Sequence, residues 1–167
     1  TWNLGAEGNP LVSTDQKYFA YSNIYQGKWT SFVKRNKDKK EEKLIYKDYG
    51  VGVLSWQPMH QKILLQLTHL GRNECQYALA DVSSFPNLSE PKIIKPCDMR
   101  KNGYAQLGPN SNFLYFSQQD EGYGGNAIYQ YDIARNKNNI IVPPSYENYG
   151  ALNLKVSNDG KYLAYLW

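Results

Sequence analysis

The segment Ser13-Thr14-Asp15-Gln16-Lys17-Tyr18-Phe19-Ala20-Tyr21 nearly coincides with Ser157-Asn158-Asp159-Gly160-Lys161-Tyr162-Leu163-Ala164-Tyr165, at the far side of a 167-residue chain. Each is a polar turn, then Lys-Tyr, then an apolar-Ala-Tyr run that reads as a strand. Two weaker copies lie between them, Pro58-Met59-His60-Gln61-Lys62-Ile63-Leu64-Leu65 and Pro109-Asn110-Ser111-Asn112-Phe113-Leu114-Tyr115-Phe116. Taking Phe19, Ile63, Leu114 and Leu163 as equivalent gives spacings of 44, 51 and 49 residues. A blade of four short strands repeats every ~40–50 residues, so this period points to a β-propeller.

A second landmark keeps the same period. An aromatic-glycine pair precedes each later copy: Tyr49-Gly50, Gly103-Tyr104 and Tyr149-Gly150. Glycine there suits a tight turn or a close backbone approach. Aromatic residues make up 14% of the chain, and 15 residues are Tyr. Such side chains fit a pleated, half-buried surface and favour strands. No segment sustains an i, i+3, i+4, i+7 apolar pattern, so almost no helix is expected. The expected fold is all-β, a partial propeller of about three and a half four-stranded antiparallel blades. It forms a single domain over 1–167, with blades at about 8–47, 50–97, 103–144 and an incomplete one at 149–167. Within the blades the strands fall at roughly 9–13, 17–22, 29–36 and 42–47, then 51–57, 61–67, 75–83 and 91–96. They continue at 104–109, 112–117, 126–134 and 139–143, and end with 151–157 and 161–167. Proline closes the runs at Pro96 and Pro143-Pro144, because it cannot donate to a ladder.

Charge restricts function more than it suggests one. The net charge of +4 gathers partly in Lys34–Lys43, where Asp38, Glu41 and Glu42 interrupt the bases. A nucleic-acid patch wants an unbroken basic face with aromatic residues beside it. The run reads instead as a solvated hairpin tip, and no nucleic acid is expected on it. No apolar run approaches the ~18 residues of a membrane helix. Thr1-Trp2-Asn3 does not resemble a signal peptide. The chain reads as a piece of something longer, with any targeting or anchoring segment elsewhere.

Catalytic and cofactor signatures are not found. There is no Gly-x-Ser-x-Gly elbow, no His-Glu-x-x-His and no Cys-x-x-Cys. Gly122-Tyr123-Gly124-Gly125 does not open a helix after a strand, as a dinucleotide loop must. Asp120 and Glu121 lack the ligand spacing of a calcium loop. His60 and His69 read as solvated turn and loop residues. The expectation is a protein without enzymatic activity, cofactor or metal. The two cysteines, Cys75 and Cys97, begin one strand of a hairpin and end the other. A cross-strand disulfide satisfies that placement, with two reduced structural thiols as the alternative. A bond would mean an oxidising compartment.

In a propeller the loops between blades share a face with the second-to-third strand loops. That face is expected to hold Tyr25, Trp29, Tyr49, Arg72, Tyr104, Asp120, Tyr123 and Tyr149, with His69 beside them. Tyr, Trp and Arg suit recognition of a protein partner or a small ligand. They also suit a bland reading as exposed loop residues.

At these residues the chain resembles the TolB-type propeller repeat, with its Ser-Pro-Asp-Gly-Lys turn, apolar strand, Asp/Gly-rich loop, Ile-Tyr and following Asp. The third unit carries Phe116-Ser117-Gln118-Gln119-Asp120-Glu121-Gly122 and Ile128-Tyr129-Gln130-Tyr131-Asp132. The fourth keeps Ser157, Asp159, Gly160 and Lys161. The first keeps Ser13, Asp15 and Lys17 but has Gln16 where glycine is usual. The second departs most, at Pro58-Met59-His60. The resemblance implies a non-catalytic sensory or interaction domain, periplasmic and attached to a winged-helix regulator of the CadC/ToxR kind tethered in the inner membrane. Two alternatives stay open. One is an envelope scaffold that binds a lipoprotein, as TolB does. The other is the gating propeller of a prolyl-oligopeptidase-like hydrolase. An incomplete ring also exposes strand edges, and self-association through them is expected.

Overall fold

A computed structural model describes residues 10–57, 60–98, 102–120, 122, 124–145 and 150–167; the side chains of Tyr25, Leu70 and Asn102 fall outside that description as well. The first turn shows why the local sequence folds as it does. Ser13 Oγ donates to Asp15 Oδ1 at 2.7 Å, and the same carboxylate accepts the Lys17 amide at 3.1 Å. Ser13 Oγ in turn accepts the Tyr18 amide at 3.0 Å. Short polar side chains thus satisfy the backbone while the chain reverses. The hairpin then closes with Ser13 N donating to Tyr18 O at 2.9 Å.

Among the described residues fourteen strands follow in four sheets. The first sheet is β1 (Leu11–Val12), β2 (Tyr18–Tyr25), β3 (Lys28–Arg35) and β4 (Glu41–Leu44). The second is β5 (Gly50–Trp56), β6 (Lys62–His69), β7 (Glu74–Asp81) and β8 (Lys92–Cys97). The third is β9 (Asn102–Leu107), β10 (Phe113–Gln119), β11 (Asn126–Asp132) and β12 (Lys137–Val142). The last has two strands, β13 (Leu152–Val156) and β14 (Leu163–Leu166). Within each sheet every strand pairs antiparallel with its chain neighbour. The helical residues among those described are one 3₁₀ turn, Leu70–Arg72. The protein is therefore all-β, and its sheets match a partial propeller-like fold.

The chain divides into two compact units. One comprises Thr1–Gln57 and Gln61–Met99, the other Pro58–His60 and Arg100–Trp167. In the first unit the two sheets bury Ala20, Val33, Leu44, Val51, Val53, Ile63, Leu65 and Leu67 against one another. Tyr18 and Trp56 stack there at 6.3 Å, and Phe85 meets Tyr18 edge-on at 5.7 Å. Two serines fasten the sheets across this core. Ser22 Oγ accepts the Val53 amide at 2.8 Å, and Ser31 Oγ donates to Val51 O at 2.7 Å. In the second unit Ile128, Val142, Ala151, Leu154 and Val156 form the smaller core. There Gln106 Oε1 accepts the Val156 amide at 3.0 Å and Asn126 O accepts the Ala151 amide at 3.1 Å.

Three local expectations change. Pro96 does not stop its strand; it pairs with Gln76 inside β8. β8 is an edge strand, where a residue without N–H costs no ladder bond on the open side. Of the aromatic-glycine pairs, Gly150 takes a positive φ of 74° and its Cα–H side faces the Asn126 backbone so closely that a Cβ would lie 2.3 Å from it. Gly50 simply opens β5 with room for a Cβ at van der Waals distance, and Gly103 lies within β9. His69 is not a solvated loop residue. It ends β6 and is packed against an aromatic ring.

Candidate functional site

The first unit carries a cleft built from the ends of three strands. Gln26 and Gly27 take φ of 51° and 76°, the double left-handed turn of a two-residue hairpin, and return the chain into β3 at Lys28 and Trp29. After β4 ends at Leu44, the segment 45–49 reverses through Lys47 (φ 44°), with Tyr49 N donating to Tyr46 O at 3.0 Å. β5 then starts beside Trp29: a Cβ on Gly50 would lie 3.4 Å from Trp29 Cβ. The Ser31–Val51 bond holds that approach. The result is an open cleft of about 260 Å³ lined by Lys28, Trp29, Lys43, Lys47 and Tyr49 over a floor of Leu44 and Val51. The floor residues are 1% and 2% exposed. No carboxylate lines it among the described residues.

The wall behind Tyr49 is fixed. Its hydroxyl donates to Glu74 Oε2. Its ring meets His69 edge-on at 5.3 Å and Tyr46 at 5.4 Å. Lys47 Nζ sits 5.1 Å above the Tyr46 ring, a cation–π distance. The Glu74 carboxylate holds the Tyr49 hydroxyl protonated, above its ordinary range; partial desolvation adds to this and the Arg72 charge opposes it. His69 Nδ1 is buried with no hydrogen-bond partner among the described residues. This wall orients Tyr49 rather than activating it, because the bonded carboxylate disfavours the phenolate.

The residues expected on the binding face therefore fall into groups. Trp29 and Tyr49 line one cleft, and Arg72, at the end of the 3₁₀ turn, is exposed and acts on Tyr49 through charge. Tyr104 belongs to the second unit, exposed on β9, with its amide bonded to Ser117 Oγ at 3.1 Å. Asp120 also lies there, and its groups serve the turn: Oδ1 accepts the Gly122 amide at 2.9 Å and the amide donates to Gly125 O at 3.0 Å. The backbone of Tyr25 pairs with Lys28. Its side chain, Tyr123 and Tyr149 lie outside the described residues. Sequence reasoning passed over Lys28 and Lys47 and set Lys43 aside within a run read as a solvated hairpin tip, because it sought an unbroken basic face. Pairing of β3 with β4, Phe32 opposite Lys43, and the turn at Lys47 are what gather them.

On the second sheet Cys75 and Cys97 stand opposite each other in register and are joined by a disulfide, with Cα atoms 5.0 Å apart. Gln66 Nε2 donates to Cys75 Sγ at 3.4 Å. Among the described residues no group of three or more His, Cys, Asp or Glu side chains lies close enough to hold a metal ion. No helix among them is long and apolar enough to cross a membrane.

Comparison with known proteins bears on the fold alone. No family model matches the chain, and no curated protein matches it. Among solved structures it is similar to a functionally unknown protein from Desulfotomaculum acetoxidans DSM 771, at TM-score 0.54 and 13% identity over 94% of this chain. The match takes in 47% of that protein, so the chain spans about half its length.

Proposed function

We propose that this chain is a non-catalytic recognition module working in an oxidising compartment, the sensory part of a membrane-tethered winged-helix regulator. The observation that carries the recognition reading is the cleft at the junction of the first two sheets. There Trp29 and Tyr49 line the same cleft as three lysines, over an apolar floor. Sites of this kind combine apolar contact area with a few charged donors that set orientation. The Tyr49–Glu74 bond supports binding over catalysis, since it leaves a neutral, oriented hydroxyl. The Cys75–Cys97 bond supports the compartment, because disulfides persist where the surroundings oxidise thiols. The regulator architecture rests on the resemblance of the Ser-x-Asp-x-Lys turns and the Ile128–Asp132 strand to TolB-type repeats.

Sequencing the coding region on both sides of this segment tests the reading. The expected result is a winged-helix DNA-binding domain and one apolar helix upstream. A hydrolase nucleophile elbow downstream, or a cleavable signal with a small α/β domain upstream, overturns it.

A further inference from the structure

We infer that the cleft between β3 and the start of β5 takes a small anion carried on one six-membered ring, with the ring against Trp29 and the carboxylate between Lys28 and Lys47. The inference deepens the recognition reading above and rests on it. Four observations specify the ligand. The first is size. The volume of about 260 Å³ falls just under the roughly 300–1,000 Å³ of sites for drug-sized molecules, which leaves space for about one ring. The second is charge. Lys28, Lys43 and Lys47 line the cleft with no carboxylate in the lining, and Glu74, behind the Tyr49 wall, is engaged by Tyr49. Asp48, in the same reversing segment, is exposed and is not part of the lining. The third is the flat surface. Trp29 is half-buried in β3, held by pairing with Ile24 and by the close passage of β5. An indole so placed favours a ring face, whether an aromatic ring or the C–H face of a sugar. The fourth is rigidity. Lys47 is steadied over Tyr46 at 5.1 Å, and Tyr46 against Tyr49, so the cationic rim is partly ordered before a ligand arrives.

A carboxylate on a ring occurs in uronic sugars and in aromatic acids, and the two are told apart by experiment. The protein is titrated with glucuronate and with 4-hydroxybenzoate, each beside its neutral counterpart, methyl glucoside and 4-hydroxybenzyl alcohol. Binding is followed by saturation-transfer NMR at low and moderate salt. The expected result is saturable binding of at least one acid, at least ten-fold tighter than its neutral counterpart and weaker as salt rises. The preferred acid identifies the source as saccharide or aromatic. Lys47→Met, an exposed change that keeps the fold, is expected to weaken that acid at least five-fold. Trp29→Leu is expected to weaken the acid and its neutral counterpart alike, with far-ultraviolet circular dichroism unchanged. The inference is overturned by no saturable binding of either acid, by neutral counterparts that bind equally well, or by a Lys47→Met protein that binds like the parent. Such a failure beside a winged-helix domain upstream sinks the ligand class and leaves the regulator reading standing. A hydrolase elbow beside confirmed acid binding does the reverse.

Discussion

The turns at Ser13–Tyr18 and Ser157–Tyr162 make the same hydrogen bonds at opposite ends of the described chain, yet they differ in what surrounds them. In both, the serine hydroxyl reaches the aspartate at 2.7 Å, the aspartate accepts the lysine amide at 3.1 Å, and the serine oxygen accepts the tyrosine amide at 3.0 Å or 2.9 Å. In both, the lysine ammonium lies beside its aspartate, at 3.4 Å and 3.8 Å. Tyr18, however, is 7% exposed and wedged between Trp56 and Phe85, whereas Tyr162 is 73% exposed. The left-handed position holds Gln16 (φ 58°) in the first turn and Gly160 (φ 74°) in the last. Local sequence sets the turn; the packing around it decides what each side chain contributes.

The contrast is broken most strongly at the tyrosines. Tyr18→Ala is expected to cost about 3–5 kcal/mol, as for other large aromatic truncations in a core. Tyr162→Ala is expected to stay within about 0.5 kcal/mol, as surface changes do. Chemical denaturation of both variants checks the pair, and equal losses would contradict the difference in packing. Exchanging the left-handed residues comes next. Gly160→Gln brings a Cβ within 2.8 Å of Pro109 Cγ as well as a strained φ, and is expected to destabilise by roughly 1–3 kcal/mol. Gln16→Gly is expected to stabilise by up to about 1 kcal/mol, since relief of φ strain outweighs the added freedom of the unfolded chain. Thermal melts of the two exchanges should therefore move in opposite directions.

A smaller effect is expected at the serines. Ser13→Ala leaves the buried Tyr18 amide without an acceptor and is expected to cost about 1–2 kcal/mol. Ser157→Ala frees an exposed amide that water satisfies, and is expected to cost less than half as much. The smallest effect is on pH dependence. Bonds from Ser13 and Ser157 lead the causes that hold the Asp15 and Asp159 carboxyls below their ordinary range. A depressed folded-state pKa adds stability above the unfolded value near ~3.9 and loses it as pH falls through the depressed value. Acid titration of the melting temperature should show a shallower decline below pH ~4 in an Asp15→Asn, Asp159→Asn double variant. An unchanged decline would mean that other carboxylates set it.

The same comparison explains how much of the molecule can be read from its residues. Turns and strands were legible because their causes are local: Ser13-x-Asp15-x-Lys17 writes its own hydrogen bonds, and Phe19, Ile63, Leu114 and Leu163 repeat at blade spacing. The end of β8 was not, because Pro96 breaks a ladder only where a neighbour needs its N–H, and β8 has an open side. Trp29 and Tyr49 were legible as recognition residues by type alone. Their lysine partners were not, because Lys28, Lys43 and Lys47 meet only through the register of β3 on β4 and a left-handed residue at position 47. The packed role of His69 was equally hidden, since it depends on the register of β5 on β6, which sets Gly50 opposite Thr68 and brings Tyr49 against the His69 ring.

On this reading recognition belongs to the Trp29–Tyr49 cleft, and the two polar turns only build the fold. Mapping backbone amide chemical shifts during titration with whichever ring acid saturates tests this most directly. Shifts are expected to concentrate at Lys28–Thr30 and Lys43–Val51, with the amides of Ser13–Tyr18 and Ser157–Tyr162 unmoved. Shifts centred on those turns, or spread evenly over exposed lysines, would contradict it.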